Sequence, residues 1–219
     1  MAVFHFTFDL MLFGHIAAGT VFSGFWPYFA RGIAGSFVLL AGVSLWLAHG
    51  GGIRWPAFWR RFAVVAAAAA LVTAATWATM GDAYIRWGIL HAIAAYSVIG
   101  LLFLRAPMPL TAAIAAACIA APFYLKAEAF NTPWLLWLGL STEVPPMMDY
   151  EPLLPWLGPL LLGVIAARLL APFWPRMRSD PGALIRALAW PGRHSLAVYL
   201  IHQPVLFGGV WVWTNYLAP

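Results

Sequence analysis

The chain has 219 residues, 63% of them hydrophobic and only 9% charged, with thirteen Trp and fifteen Phe. An average soluble domain carries roughly 25% charged residues, and a water-soluble fold of this size has no interior large enough to hide so much apolar surface. The composition therefore excludes an ordinary soluble enzyme, a disordered chain and a nucleic-acid-binding domain. The single cysteine, Cys118, excludes a disulfide framework and a cysteine-based zinc site. The apolar runs are long and rich in Ala and Leu, unlike the alternating ten-residue segments of a membrane β-barrel. They predict an all-α polytopic transmembrane bundle.

A membrane helix needs about 20 mostly apolar residues. Seven spans are expected in chain order, near 1–19, 28–48, 62–80, 87–104, 109–125, 154–170 and 195–213. The first starts at Met1 with no flanking charge or cap, as if it began partway through a helix, and it lacks the basic n-region of a cleavable signal peptide. No internal repeat is visible, so residues 1–219 are read as one membrane domain. Each of the two long connections is expected to hold a short interfacial helix. In the first, Asn131 and Pro133 open a helix bearing Trp134 and Trp137. In the second, Asp180 caps, Pro181 fills the first turn, and Pro191-Gly192 stops the helix.

The net charge of +5 reads as a topology signal. Arg54, Arg60, Arg61, Arg105, Arg168, Arg176, Arg178, Arg186 and Arg193 fall on one side of the seven-span arrangement, against Arg31, Arg86 and Lys126 on the other. That bias puts the N-terminus in the cytoplasm and the C-terminus outside.

An ionisable group inside a membrane helix is costly and marks function by default. His5 and Asp9 are spaced i, i+4 and share a helical face, where a carboxylate can orient an imidazole for base or nucleophilic work. A buried polar pair that locks helix packing is the other reading. His15 lies near the outer end of the first span, His91 one turn into the fourth and His202 midway along the seventh. His91 and His202 either line a cavity with His5 or bond to neighbouring carbonyls. The His202-Gln203-Pro204 triplet is the more suggestive, because a mid-helix Pro frees a carbonyl and such breaks line polar cavities. His49 and His194 read as interfacial residues at span ends. No two histidines show the close spacing on one helix that zinc favours, and no metal is expected.

Several stretches together resemble a known family. They are MAVFHFTFDLMLFG, FVLLAGVSL, GILHAIA, DYEPLLPWLGPLLLG and GRHSLAVYLIHQPVL, in order along nearly the whole chain. The chain resembles the bacterial membrane family related to the catalytic domain of heparan-α-glucosaminide N-acetyltransferase. The resemblance implies a multi-span acyltransferase that takes an acetyl or other acyl group from cytosolic acyl-CoA and delivers it to an amino sugar or other envelope glycan acceptor. The family's proposed catalytic histidine falls closest to His15 by register, whereas the bacterial HFxxDL pattern points to His5 and Asp9. Family members carry an (I/L)DxLRG-like segment just ahead of the first span, which this chain lacks, in keeping with a first span truncated at its N-terminus. On this reading Arg54, Arg60, Arg61, Arg176 and Arg178 would meet the acyl-CoA phosphates, unless they serve only as topology signals. Arg86 and Asp149 would hold the acceptor at the outer mouth. The partners implied are the bilayer, acyl-CoA and a glycan, with no nucleic acid; an oligomer is compatible. Two rival readings stand beside this one: a small proton-coupled transporter and a non-catalytic subunit of an envelope-polymer assembly.

Overall fold

A computed structural model describes residues 1–147, 149–173 and 182–217. Eight α-helices follow one another, and no strand occurs among the described residues. They are α1 (Ala2–Leu12), α2 (Trp26–His49), α3 (Trp55–Met80), α4 (Ile89–Gly100), α5 (Met108–Tyr124), α6 (Leu153–Leu169), α7 (Ala183–Arg193) and α8 (Ser195–Val212). Single 3-10 turns extend several of them, and a π turn, Trp213–Leu217, continues α8. Among the described residues three segments are long and apolar enough to cross a bilayer: Trp26–His49, Trp55–Ala83 and Ser195–Leu217. The other four expected spans fall on shorter apolar helices, Ala2–Leu12, Ile89–Phe103, Met108–Tyr124 and Leu153–Leu169. The chain is an integral membrane protein.

The chain divides into two units, Met1–Ala34 with Pro175–Pro219, and Gly35–Trp174. In the first, α1 packs along α8 and α7 leads directly into α8. α1 is shorter than the expected span, at eleven residues. That is about 16 Å of helix against a hydrocarbon core of about 30 Å. Its end is a Schellman motif. Gly14 adopts a φ of 79°, its N–H donates to Met11 O, and the next N–H, of His15, reaches back to Leu10 O. Gly14 suits this position because a side chain is disfavoured at that φ. α7 is amphipathic, with Leu184, Ile185 and Trp190 exposed beside Arg193. It runs past Pro191-Gly192 to Arg193, where the His194 N–H closes it onto Trp190 O. The expected cap Asp180 and first-turn Pro181 lie outside the described residues.

In the second unit, α5 packs on α6, α3 on α4, and α4 on α6. Without a hydrophobic force between helices in lipid, close backbone approach must come from small residues. A Cβ added at Gly42 would lie 2.0 Å from Leu160 O, and one at Gly163 would lie 2.0 Å from Leu39 O. The two glycines thus let α2 and α6 touch backbone to backbone. Gly158 does the same toward Ala115 O on α5. α3 starts at Trp55, earlier than expected, because Arg54 takes the N-cap position and Pro56 suits the first turn. Arg60 and Arg61 are therefore helical rather than part of a loop.

The interfacial helix expected after α5 is replaced by two 3-10 turns, Glu128–Phe130 and Leu136–Leu138. Asn131 does not cap a helix there. Its Oδ1 accepts from Ser141 Oγ and from the N–H groups of Thr142 and Glu143, while its Nδ2 donates to Thr142 Oγ1. The side chain closes a loop, and an Asn so committed has no acceptor left for a helix N-terminus.

Gly163→Ala forces α2 and α6 apart and should lower stability by about 2 kcal/mol, within the range for overpacking. Gly209→Ala, where a Cβ meets open space, should be neutral or better. Thermal unfolding of the two purified variants checks the contrast, and equal midpoints would contradict the close approach.

Candidate functional site

The polar groups of α1 and α8 meet inside the first unit. Asp9 is fully buried, at 0% exposure. Its Oδ1 accepts a hydrogen bond of 3.0 Å from Gln203 Nε2. The i, i+4 spacing keeps His5 on the same face, but the hydrogen bond to the carboxylate comes from Gln203 and not from His5. The half-buried His5 ring instead meets His202 edge-on, with centroids 5.0 Å apart. Asp9, Gln203, His202 and His5 thus form one cluster.

His202 has a defined tautomer. Its Nδ1 lies 2.6 Å from Tyr199 O and 3.2 Å from Val198 O, so in the neutral ring Nδ1 carries the proton and Nε2 bears the lone pair. Pro204, inside α8, leaves one carbonyl of the preceding turn without its N–H partner. Asp9 Oδ2, Gln203 Oε1 and His202 Nε2 are buried and receive no hydrogen bond from the described residues. The resulting surface is rich in acceptors, and Phe13 lies tilted against Phe207 in the same unit, with ring centroids 5.2 Å apart.

His15 lies past the end of α1, held at the C-terminal end of α8. Its Nε2 is 2.7 Å from Thr214 Oγ1, and the ring stacks on Trp213 at 4.7 Å. The Thr214 hydroxyl donates to Val210 O, so it accepts from His15, and Nε2 carries the proton. His15 is exposed and His5 half-buried, so the two imidazoles at α1 and just beyond it lie in different surroundings.

The remaining candidates belong to Gly35–Trp174. His91 has both nitrogens engaged: Nδ1 accepts from the Gly88 N–H at 3.3 Å and Nε2 lies 3.2 Å from Thr73 Oγ1. The Thr73 hydroxyl donates to Ile85 O, so Nε2 is the donor. This neutral histidine ties the start of α4 to α3. Asp149 Oδ2 accepts from Ile89 N–H at 2.8 Å and so caps α4 from a distant loop. Gly88 permits this approach, since its Cβ would lie 2.3 Å from Asp149 Oδ2. Glu151 O accepts from both Trp87 Nε1 and Tyr96 Oη, which fixes the same loop. Tyr150 donates to Leu136 O, and burial pushes its phenol up to about 12. The Arg86 guanidinium sits 4.2 Å from the centre of the Tyr84 ring, with Nη1 buried and receiving no protein partner.

At the junction of α2 and α3, His49 ends its helix and is buried within the protein at 5% exposure. Its Nδ1 accepts from the Arg54 N–H at 3.2 Å. Arg61 and His49 line a narrow cleft with Phe58, Phe62, Ile93 and Ser97, while Arg54, Arg60 and Arg61 are exposed. His194 is exposed, with Nδ1 3.0 Å from Trp190 O. Arg176 and Arg178 lie outside the described residues. Among the described residues no group of three His, Cys, Asp or Glu side chains is arranged to hold a metal ion.

Apolar helices, three of them of membrane length, with a buried carboxylate and two half-buried imidazoles between α1 and α8, define a polytopic membrane protein with a polar centre. The family model described as heparan-alpha-glucosaminide N-acetyltransferase, catalytic, matches residues 1–204, and the chain belongs to that family. No curated protein matches the chain, and no solved structure does. Membership makes the general class acyl transfer. Gln203 is the site residue that sequence reasoning undervalued; its signal was a polar amide beside His202 and Pro204 in an apolar helix.

Asp149→Ala should cost about 1 kcal/mol through the lost cap. Gly88→Ala should cost more in the wild type than in the Asp149→Ala background, because the added Cβ collides with that carboxylate. A thermal double-mutant cycle checks this; additive effects would free Asp149 from its capping role.

Proposed function

We propose that this chain is an integral membrane acyltransferase that moves an acyl group, in the first instance acetyl, from cytosolic acyl-CoA to an amino sugar or other envelope glycan acceptor. The observation that carries this reading is the buried Asp9, bonded to Gln203 on α8 beside two imidazoles. A charge at that depth costs several kcal/mol unless it is paired or used. His5 or His15 acts as base toward the acceptor, or carries the acyl group transiently on a ring nitrogen. Asp9 stabilises the imidazolium that forms. His91 and Asp149 serve the architecture of α4.

The charge asymmetry supports an N-terminus inside and a C-terminus outside a bacterial cytoplasmic membrane with seven spans. Acyl-CoA then approaches from the side of Arg54, Arg60 and Arg61, with Arg176 and Arg178 adding to the same side of the sequence. Arg61 lines a cleft that combines a cation with apolar walls. That combination suits a polyphosphate joined to a thin apolar arm.

Purified protein incubated with labelled acetyl-CoA should release CoA and transfer label to an amino-sugar acceptor. Asp9→Asn, which keeps the shape and removes the charge, should lower turnover at least about 100-fold, within the range for loss of acid–base support. Mass spectrometry of the quenched wild-type protein locates any acetyl-histidine at His5 or His15. A proton-coupled transporter would show no turnover with any acceptor, and that result would overturn the reading.

A further inference from the structure

The cleft beside the α2–α3 turn is elongated along its helices. On α2 its lining spans residues 41–49, about 12 Å of helix, and on α3 residues 58–65, about 10 Å. Arg61 shares one face of α3 with Phe58, Phe62 and Val65, which stand at i, i+3, i+4 and i+7 spacing. α4 adds Ile93 and Ser97, and the Ser97 hydroxyl is committed to Ile93 O at 2.6 Å. The polar groups left to meet a guest are Arg61 and His49. His49 is buried at 5% exposure and borders the cleft. Its Nδ1 accepts from the Arg54 N–H, so the neutral ring carries its proton on Nε2 and is a donor there.

The surroundings of the cleft are positive. No Asp or Glu occurs from residue 10 to residue 81, a stretch that holds Arg54, Arg60 and Arg61, all exposed. The Arg54 Nε donates to Ala48 O at 3.2 Å, which draws that guanidinium back over the end of α2. α2 and the segment that begins with α3 are both long enough to cross a bilayer, so the short turn joining them lies at a bilayer surface. Trp55 and Trp59 fit that depth. They stack with ring centroids 6.3 Å apart and are both exposed, as aromatic rings at headgroup level are.

A guest for this cleft brings acceptors and negative charge to the turn, and hydrocarbon to the walls. Free phosphate supplies the charge and leaves the walls empty. A zwitterionic lipid supplies the chain, but its own ammonium competes with Arg61 for the phosphate. An anionic phospholipid supplies both, and its chain asks no hydrogen bond of Leu45, Phe58, Phe62 or Ile93. We propose that the cleft binds one anionic phospholipid of the surrounding bilayer. The phosphate sits on Arg61 and the His49 Nε2–H, with Arg54 and Arg60 beside it, and one acyl chain runs between α2, α3 and α4. This goes beyond the acyl-transfer reading and does not depend on it. Acyl-CoA also joins phosphate to an arm, so the phospholipid is its competitor for Arg61.

The test is native mass spectrometry of the full chain in detergent micelles without acyl-CoA, so that lipid binding and turnover can fail separately. The chain is titrated with dioleoylphosphatidylglycerol and with dioleoylphosphatidylcholine, which differ in headgroup alone. The phosphatidylglycerol should bind at least about fivefold more tightly, about 1 kcal/mol, the scale of one arginine at an anionic surface. Glycerol 3-phosphate at the same concentration, which has the phosphate and no chains, should not displace it. Arg61→Gln, at an exposed position, should bring the two lipids to within about twofold of each other. Ala41→Phe fills the apolar part of the cleft, leaves every charge in place and should weaken both lipids, its thermal midpoint being checked against the wild type. Arg105→Gln removes a cation outside the cleft and should leave the preference unchanged. Equal affinity for the two lipids, displacement by glycerol 3-phosphate, a preference that survives Arg61→Gln, binding undiminished in a folded Ala41→Phe, or an equal loss in Arg105→Gln would overturn the site.

Discussion

A carboxylate taken out of water must find hydrogen-bond donors, and in the first unit that need organises everything around Asp9. An Asp at the centre of a membrane helix costs about 2.5–3.5 kcal/mol on an insertion scale. In the structure the carboxylate is completely buried, and one oxygen is met by Gln203 Nε2 across the helix pair. That bond sets the register of α1 against α8. With the register set, His5 comes edge-on to His202, Phe13 reaches Phe207, and His15 arrives over Trp213 and Thr214. The Schellman turn at Gly14 contributes by stopping α1 where His15 can fold back onto α8. A helix continuing through residue 19 would carry His15 along its own axis.

The Gly35–Trp174 unit solves a different problem, which is how helices associate when lipid is as apolar as leucine. Glycine notches at 42, 158 and 163 bring backbones into contact, and dispersion across those contacts replaces the hydrophobic force. Polar side chains are spent on connections. His91 links α4 to Thr73, Asp149 caps α4, Asn131 closes the loop after α5, and His49 receives the Arg54 N–H at the turn into α3. Each resembles a functional residue by type, and each directs hydrogen bonds at groups of its own unit.

The contrast explains what was legible in the sequence. Helix positions were, because a bilayer imposes a long apolar run whatever the tertiary packing; all seven expected spans fall on observed helices, and α7 falls on the short helix expected in the inner connection. The end of α1 was missed although Gly14 stood in the sequence, because a wholly apolar run outweighs a single cap signal. The helix expected at Asn131 was missed because its competitor, a clamp onto residues 141–143, is ten residues away and invisible to local pattern. In the candidate site, the shared face of His5 and Asp9 followed from helical periodicity alone. The partner of Asp9 did not, since Gln203 lies 194 residues along the chain. His91, like His202, is a histidine in an apolar helix, and the hydrogen-bond partners that distinguish their surroundings are not visible in the sequence.

The account depends most on the Asp9–Gln203 bond, and a double-mutant cycle measures it directly. Unfolding free energies of the wild type, Asp9→Ala, Gln203→Leu and the double variant isolate the pairwise term. A charge-assisted bond in a water-poor helix pair should give a coupling of about 1 kcal/mol or more, somewhat above the average for polar pairs between membrane helices. Strictly additive effects would mean that α1 and α8 are held in register by something else, and the cluster built on that register would fall with it.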